Sequence, residues 1–418
     1  MKDSGTAVGI DLGTSGVRVA VVDASGSPIA MRTTPLAPVE QRSPFAWWVA
    51  LQDAFAALRS EADLSGVRAV AVDGTSGTVL AIDRDGNPLG DASLYNDPAD
   101  SDAVTRVAAC APPDSGAHGA TSPLAKLLGL QKIGGIARML HQADWIAGRL
   151  CGGFDVTDEN NALKTGYDPF ARRWPDWLHE LGADTALLPK VTEPGELIGH
   201  VRTDVACVLG LPEGIRIAAG TTDGCAAFLA TGASAIGEAV TSLGSTLTLK
   251  QLCAAPLFAP RYGVYSHRLG ELWLAGGASN SGGAALTQYF APDRMAELSA
   301  HIDPSKPTAL DYYPLPAMGE RFPIADPSLA PRVAPRPDDE AMFLHGLLES
   351  IARIKALGYR RLRDLGGPPL VSVRSVGGGA RNSAWSAIRA RVLGTPLARA
   401  RSEEAAVGAA ILALRSMA

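Results

Sequence analysis

Several common nucleotide- and metal-binding signatures are missing from this sequence of 418 residues. It has no GxxxxGK motif followed by Ser or Thr, which excludes a P-loop nucleotide site. It has no GxGxxG motif after a predicted strand, which argues against a dinucleotide-binding fold. The histidines never occur with HExxH spacing, and we interpret His267 and His345 as packing residues rather than metal ligands.

Cysteine and charge are both scarce. There are five cysteines and no CxxC pair, so we predict reduced thiols and neither a disulfide framework nor a zinc site. Charged residues make up 19% of the chain, its formal net charge is −5, and no run of Lys or Arg occurs. This balance argues against a nucleic-acid or anionic-membrane partner and leaves small metabolites as the expected partners.

Long apolar runs are also missing. The first five residues lead into a predicted strand without the apolar region of a signal peptide. The apolar stretch at residues 405–414 is too short to span a bilayer. We therefore expect a cytoplasmic location and no membrane partner. Hydrophobic residues make up 46% of the chain, which is typical of a globular protein long enough for two or three domains.

Predicted strands and helices alternate along both halves of the chain, which predicts the α/β class. The composition becomes rich in Ala and Gly near residues 225–240. We place a domain boundary there, which gives two predicted domains, 5–230 and 231–418. In the predicted helix 47–58, the residues that share one face are Trp48, Leu51, Phe55 and Leu58. The proline-rich residues 304–337 are predicted to form an irregular surface loop.

One glycine-turn pattern occurs twice. Residues 11–15 are Asp-Leu-Gly-Thr-Ser and residues 242–246 are Ser-Leu-Gly-Ser-Thr, each between apolar strands. Such a turn offers bare backbone N–H groups and hydroxyls, which suit a polyphosphate. Two such hairpins, one in each half, predict a nucleotide held between two related domains. The residues expected to face the phosphates are Gly13, Thr14, Ser15, Gly244, Ser245 and Thr246.

Two aspartates follow apolar strands at glycine-rich turns. Asp11 is placed to hold Mg²⁺ through water, because Mg²⁺ prefers oxygen ligands, but it equally suits a role in bonding its own turn. Asp223 is placed to accept the proton of an attacking alcohol, as a phosphotransferase requires. Its alternative role is the N-cap of the helix that follows.

Three further segments have turn composition and polar side chains. Residues 377–382, Gly-Gly-Gly-Ala-Arg-Asn, would let a flat ring approach the backbone closely, or they need glycine only for their own geometry. Residues 73–77 and 95–97 offer short polar side chains suited to sugar hydroxyls, although turns are rich in such residues anyway.

Taken in order, these motifs resemble those of the FGGY family of carbohydrate kinases. Residues 9–15 and 241–246 resemble its two phosphate motifs, 219–223 the segment of its catalytic base, 377–382 its adenosine motif, and 404–410 its closing helix. The resemblance covers essentially the whole chain. It implies a two-domain actin/hexokinase-like (ribonuclease H-like) fold with a nucleotide cleft between the domains, and a last helix that packs back on the first domain.

Within the family, the chain is similar to short D-ribulose and D-xylulose kinase-like members of cyanobacteria and plants, through residues 73–78, 94–97, 161–164 and 262–270. This likeness implies ATP-dependent phosphorylation of the C5 hydroxyl of a ketopentose, D-ribulose before D-xylulose or another polyol. ATP and Mg²⁺ are the implied cofactors, and the chain is expected to be a monomer or homodimer. The implied roles are proton acceptance by Asp223, magnesium binding by Asp11, sugar binding by Asp11, Ser76, Asp97 and Asp223, and adenine contact by Gly378, Gly379 and Asn382.

One departure from the family concerns sugar binding. Longer members show a Trp-x-Asp-x-Arg signature, and here the stretch is Tyr95-Asn96-Asp97-Pro98-Ala99, so the arginine is missing. Glycerol, which that arginine often holds, is therefore a less expected acceptor. An ATP-hydrolysing clamp of the same superfamily is the alternative of another class, and a sugar-sensing pseudokinase is a third. The retained Asp223 favours a kinase.

Overall fold

A computed structural model describes residues 5–417. Its strands are β1 (Thr6–Gly13), β2 (Gly16–Val22), β3 (Pro28–Pro35), β4 (Val67–Gly74), β5 (Val79–Ile82), β6 (Arg138–His141), β7 (Val156–Asp158), β8 (Lys190–Thr192), β9 (Leu197–His200), β10 (Arg216–Thr222), β11 (Glu238–Leu243), β12 (Leu247–Cys253), β13 (Tyr265–Leu269), β14 (Leu272–Ser279), β15 (Ser372–Val376) and β16 (Leu397–Ala398). Its helices are α1 (Pro44–Arg59), α2 (Ser101–Cys110), α3 (Pro123–Leu130), α4 (Gln142–Cys151), α5 (Glu159–Leu163), α6 (Trp177–Leu181), α7 (Thr203–Leu209), α8 (Asp223–Ala230), α9 (Gly283–Leu286), α10 (Pro292–Ser299), α11 (Glu340–Asp364), α12 (Ser383–Leu393) and α13 (Ala405–Arg415).

The described chain forms two compact units. The first contains the described residues up to Ala230 together with those from Glu404 onward, and the second is Thr231–Glu403. Helix α13 therefore lies in the first unit, although it follows the second unit in sequence. Among residues 5–417, no helix combines the length and the apolar character needed to cross a bilayer.

The first unit is built on a six-stranded sheet in the order β3-β2-β1-β4-β10-β9. Strands β1, β4 and β10 run parallel, and β2 is antiparallel to β1. Both faces of β1 are buried, which explains its nearly continuous apolar sequence. Helix α1 begins where Ser43 Oγ accepts a hydrogen bond from Ala46 N and Pro44 fixes the first helical position.

The second unit has a six-stranded sheet in the order β13-β14-β12-β11-β15-β16. Strand β11 is antiparallel to β12 and parallel to β15, as β1 is to β2 and β4. Five strands of each sheet thus follow the same order, with β14-β12-β11-β15-β16 matching β3-β2-β1-β4-β10. Helix α11 packs its apolar face on this second core, and Tyr359 of α11 hydrogen-bonds Thr241 of β11 at 2.8 Å between the hydroxyl oxygens.

Helix α13 approaches its neighbours at backbone contact distance. A Cβ added at Gly9 of β1 would lie 1.8 Å from the carbonyl oxygen of Ala406, and one at Gly408 would lie 1.8 Å from that of Ala226 in α8. Neither strand nor helix could keep its position with a larger residue there. These two glycines therefore determine that α13 packs tightly against β1 and α8 in the first unit.

One expectation about burial is wrong. Residues 304–337 are irregular, as predicted, but they are not a surface loop, because Leu315 and Phe322 are fully buried in the second core. Prolines prevent regular structure there without preventing apolar side chains from packing. In α1, Trp48 packs against the first core with Leu51, Phe55 and Leu58, as expected, although it is only partly buried. The fully buried tryptophan is Trp47, whose indole N–H donates to the carbonyl of Gln41.

We expect Gly408→Ala to lower the free energy of unfolding by at least ~1 kcal/mol, because overpacking at Ala226 outweighs the better helix propensity of alanine. The matched control is Gly129→Ala in α3, where a Cβ would meet nothing within 4 Å. The control should be neutral or more stable by up to ~1 kcal/mol. The stability of both variants is measured by urea denaturation followed through tryptophan fluorescence. Equal denaturation midpoints for the two variants would contradict the packing argument.

Candidate active site

Three aspartates meet at the carboxyl ends of parallel strands in the first unit. Asp11 on β1 pairs in register with Asp73 on β4, and Asp73 also pairs with Thr221 on β10. Asp223 follows β10 directly as the first residue of α8. Since the carboxyl edge of parallel strands is where α/β sheets bind their ligands, this convergence marks the candidate active site.

Asp11 and Asp73 lie in a dry environment. Asp11 is 4% exposed and Asp73 is not exposed at all. Burial raises the pKa of Asp73 well above its ordinary value, and the charges of Asp11 and Asp223 raise it further. Burial also raises the pKa of Asp11, but the hydrogen bond with Asp73 and the charge of Arg18 oppose that rise. The direction of these effects favours a proton on Asp73 rather than on Asp11.

Arg18 compensates the charge that remains on Asp11. Its Nη1 lies 3.0 Å from Asp11 Oδ2. Apart from the contact with Asp11, neither oxygen of Asp73 has a hydrogen-bond donor within the described residues. A buried carboxyl group without donors is strongly disfavoured in its charged form, which agrees with a neutral Asp73.

Asp223 differs from the other two aspartates because it is only half-buried. Its Oδ1 accepts a hydrogen bond of 2.7 Å from the N–H of Gly224 in the first turn of α8. Its negative charge raises the pKa of both Asp11 and Asp73, so it lies close to them. Both interpretations of Asp223 fit this position, the helix terminus and the general base.

The turn after β4 brings Ser76 to the same edge. The N–H and hydroxyl of Thr75 both donate to the carbonyl of Leu12, which ties this turn to the end of β1. Ser76 Oγ is buried and has no hydrogen-bond partner within residues 5–417. A buried hydroxyl without a partner needs an explanation, and a sugar hydroxyl would provide one.

Asp97 lies with a different set of partners. Its carboxylate forms a two-point ion pair with Arg42, with Nη2 at 2.7 Å from Oδ1, and Oδ2 accepts from the N–H of Leu94. The hydrogen bonds of Arg42 lower the pKa of Asp97. Lys126 connects this segment to the Ser76 turn, because its Nζ donates to the carbonyls of Gly77 and Leu94. Burial lowers the pKa of Lys126 to about 8.

The two glycine hairpins differ in length. In the first unit, Gly13 ends β1, and Thr14 and Ser15 form a two-residue turn in which Ser15 is exposed. In the second unit, the turn between β11 and β12 has three residues, Gly244, Ser245 and Thr246, and the first two are exposed. Backbone N–H groups of residues 283 and 284 donate to the carbonyls of residues 244 and 245, which fixes the second turn.

Gly378, Gly379 and Asn382 line a cavity of about 560 Å³ in the second unit, together with Gly283 and mainly apolar side chains. A Cβ at Gly379 would meet the ring of Trp385 at 2.4 Å, whereas a Cβ at Gly378 would meet nothing within 4 Å. Gly379 is thus required by packing, and Gly378 leaves space for a ligand. Asn382 caps α12 by accepting from Trp385 N, and its Nδ2 donates to Ser299.

The oxygen donors at Asp11 fit magnesium if waters and substrate phosphates supply the remaining ligands. Within residues 5–417, no group of three or more His, Cys, Asp or Glu side chains is arranged to hold a metal ion. Asp11 offers one carboxylate, and Arg18 already bonds its Oδ2. Mg²⁺ is commonly held by one or two carboxylates, waters and substrate phosphates, and a single carboxylate fits that arrangement.

Sequence reasoning missed four residues at this edge, namely Arg18, Arg42, Asp73 and Lys126. Asp73 was recognised as part of a polar turn, yet its pairing with Asp11 depends on the register of two strands far apart in sequence. The signal that was present is its position at the end of a second apolar strand. Arg42 precedes the N-cap of α1 and carries no local signal for its partner, Asp97.

Comparisons with known proteins cover both units. Residues 6–111 match the N-terminal domain, and residues 239–417 the C-terminal domain, of the FGGY family of carbohydrate kinases. The chain is 26% identical to the xylulose kinase of Escherichia coli (strain K12) over 422 aligned positions, covering 93% of this chain and 85% of that protein.

Solved structures show the same fold. The crystal structure of a xyloylose kinase from Brucella ovis matches with a TM-score of 0.85 and 24% identity, over 98% of this chain and 90% of that one. A xylulose kinase from Rhodospirillum rubrum matches with a TM-score of 0.83 and 24% identity, over 98% and 89%. The expected α/β, two-domain, actin/hexokinase-like fold is confirmed.

We expect Asp73→Asn to gain stability relative to the wild type as pH rises from 5 to 8. In the unfolded chain Asp73 loses its proton near pH 4, whereas burial keeps it protonated in the folded chain. Its contribution to stability is therefore complete below pH 4 and is lost as pH rises toward the folded pKa, with a slope of up to ~1.4 kcal/mol per pH unit. The asparagine side chain of the variant has no proton to lose and can still donate to Asp11.

The measurement is urea denaturation at pH 5 and pH 8. Asp63→Asn is the control, because Asp63 is exposed and hydrogen bonds from Ser65 lower its pKa, so it should show no difference between these pH values. Identical pH dependence for Asp73→Asn and the wild type would contradict a protonated Asp73.

Proposed function

The chain belongs to the FGGY family of carbohydrate kinases, and from this premise we propose that it transfers the γ-phosphoryl group of ATP to the C5 hydroxyl of a ketopentose, with D-ribulose as the first acceptor. The proposal rests on one observation above all, the convergence of Asp11, Asp73 and Asp223 at the carboxyl edge of β1, β4 and β10. The Ser76 hydroxyl, buried and unpaired at the same edge, supports an acceptor that carries hydroxyl groups.

Asp223 is the proposed general base. Asp73 is fully buried and its raised pKa favours the protonated form, which does not accept a proton from an alcohol. Asp11 is nearly buried and its charge is paired with Arg18. Asp223 is the one of the three that is partly exposed, and its charge acts on both of the others. It would take the C5 hydroxyl proton and orient the oxygen toward the phosphorus atom.

Asp11 and the two hairpins would manage the charge of the triphosphate. Phosphoryl transfer depends mainly on positioning and charge neutralisation, which backbone N–H groups and hydroxyls can supply. Thr14 and Ser15 in the first unit and Ser245 and Thr246 in the second offer such donors at exposed or half-buried turns. Mg²⁺, held by Asp11 through water, would add positive charge at the phosphates.

The cavity of Gly378, Gly379 and Asn382 is the proposed adenosine site. Its volume of about 560 Å³ lies in the range of small-molecule sites, and its walls are mainly apolar with a few polar groups. Gly378 has no atom behind its missing side chain, so a flat ring can lie against that backbone.

D-xylulose is the second candidate acceptor, because the Escherichia coli relative and the Rhodospirillum rubrum structure are both named as xylulose kinases. The likeness of residues 73–78 and 262–270 to D-ribulose kinase-like members favours D-ribulose. An ATP-hydrolysing clamp binds no sugar, so it would not need an unpaired buried hydroxyl beside the three aspartates. The buried Ser76 hydroxyl, which has no hydrogen-bond partner in the described chain, therefore favours a kinase over a clamp.

We expect Asp223→Asn to lower kcat by at least ~10²-fold, because a general base typically contributes ~10²–10⁴-fold. Binding of ATP, measured by calorimetry, should stay within about two-fold of the wild type, since the change keeps the shape of the residue. The control is Asp100→Asn at the N-cap of α2, an exposed aspartate that starts another helix. Near-normal turnover of Asp223→Asn would contradict the general-base assignment and would leave Asp223 only its structural role at the start of α8.

We expect D-ribulose to give the highest kcat/KM in a screen of D-ribulose, D-xylulose, ribitol, arabinitol and glycerol, followed by ADP release and by detection of the phosphorylated sugar. A higher value for D-xylulose would select the second candidate. Fast ADP release that no sugar stimulates would indicate the clamp and would overturn the kinase assignment at this site.

A further inference from the structure

A second cavity in the second unit, of about 400 Å³, is separate from the proposed adenosine site. It is lined by residues of β15, β16 and α12 and by the segment 399–403. Arg381 is the one residue that lines both cavities. The inference drawn from this cavity is independent of the proposed kinase reaction.

The lining of this cavity is strongly basic. It contains Arg381, Arg389, Arg399 and Arg401 against a single acid, Glu403, which leaves an excess of three positive charges. Glu403 is already engaged, because its Oε2 accepts a hydrogen bond of 2.8 Å from the N–H of Gly377. Within residues 5–417, none of the four arginines forms an ion pair. The four guanidinium groups of this cavity therefore have no carboxylate partner among the described residues.

Arg389 is the most demanding of the four because it is 1% exposed. Its Nη1 donates to the carbonyl of Gly379 at 3.2 Å and its Nη2 to Ser386 Oγ at 2.7 Å, while Nε has no partner in the described chain. The guanidinium carbon lies 5.1 Å from the centre of the Trp385 ring. Burial lowers the pKa of Arg389 to about 10, and no carboxylate offsets this effect. A buried guanidinium surrounded by neutral groups is costly until an anion joins it.

Lys355 of α11 adds a second buried amine to this region. It is 1% exposed, and its Nζ has no partner among the described residues. Burial lowers its pKa to about 7, and the charge of Arg389 contributes to that shift, so the two groups lie within electrostatic reach. Lys355 does not itself line the cavity, but two buried basic groups within electrostatic reach of each other are unusual in a protein core.

We propose that this cavity, the arginine cavity, binds a small metabolite that carries two or more phosphate groups. Guanidinium groups bind phosphate oxygens through paired, charge-assisted hydrogen bonds. Serine hydroxyls of the lining, among them those of Ser375 and Ser386, add neutral partners, and Ser375 Oγ is buried without a hydrogen-bond partner in the described chain. The volume exceeds what one phosphate fills and lies in the range of small-ligand sites. An excess of three positive charges matches a bisphosphate better than a single phosphate.

The test is calorimetric titration of the full chain with inorganic pyrophosphate, in the presence of a saturating non-hydrolysable ATP analogue that fills the nucleotide site. We expect one site for pyrophosphate and a Kd that rises at least ~10-fold in Arg399→Gln/Arg401→Gln. Both side chains are exposed, so the variant should keep its fold. The control is Arg360→Gln/Arg363→Gln, which removes two exposed charges from α11 outside the cavity and should leave the Kd within about two-fold.

Three results would overturn the proposal. The first is no binding of pyrophosphate by the wild type, and the second is an equal loss of affinity in both double variants, which would indicate general charge attraction. The third is equal affinity for inorganic phosphate and pyrophosphate, which would show that a second phosphate group gains no contact.

Discussion

The register between β1 and β4 is the constraint on which the candidate active site depends. It places Asp11 beside Asp73 in a region closed to water. Two carboxylates in such a region are unfavourable when both are ionised, and this repulsion adds to burial in raising the pKa of Asp73. Asp73 is then suited to donate a hydrogen bond, Asp11 is paired with Arg18, and Asp223 is the one of the three that is partly exposed to solvent.

The second sheet repeats the topology without repeating this chemistry. The pair that corresponds to Asp11 and Asp73 is Ser242 and Val376, so no acid occurs at that register position. The turn beyond it instead presents exposed Gly244 and Ser245. The same backbone therefore presents three carboxyl groups in the first unit and neutral donors with an apolar cavity in the second. The side chains at the strand ends decide the chemistry, whereas the strand order decides only their placement.

The helix predicted over residues 47–58 lies within α1, because apolar periodicity and a local cap specify it. Long-range pairing could not be predicted in the same way. The importance of Asp73 depends on strand register, and the partner of Asp97 is Arg42, 55 positions away. The burial of residues 304–337 depends on the core that receives them, a property that proline content does not encode.

Arg42 changes how the missing arginine of the sugar signature is understood. Ala99 removes the arginine from the signature itself, but Arg42 places a guanidinium on the Asp97 carboxylate from another part of the first unit. Asp97 is thereby held by Arg42 and by Leu94 N, which reduces its capacity to bond a sugar. Ser76 has the opposite character, a buried hydroxyl with no partner in the described chain. A buried polar group left unpaired penalises any ligand that cannot bond it. We therefore propose that Ser76 contributes more to the choice of acceptor than Asp97 does.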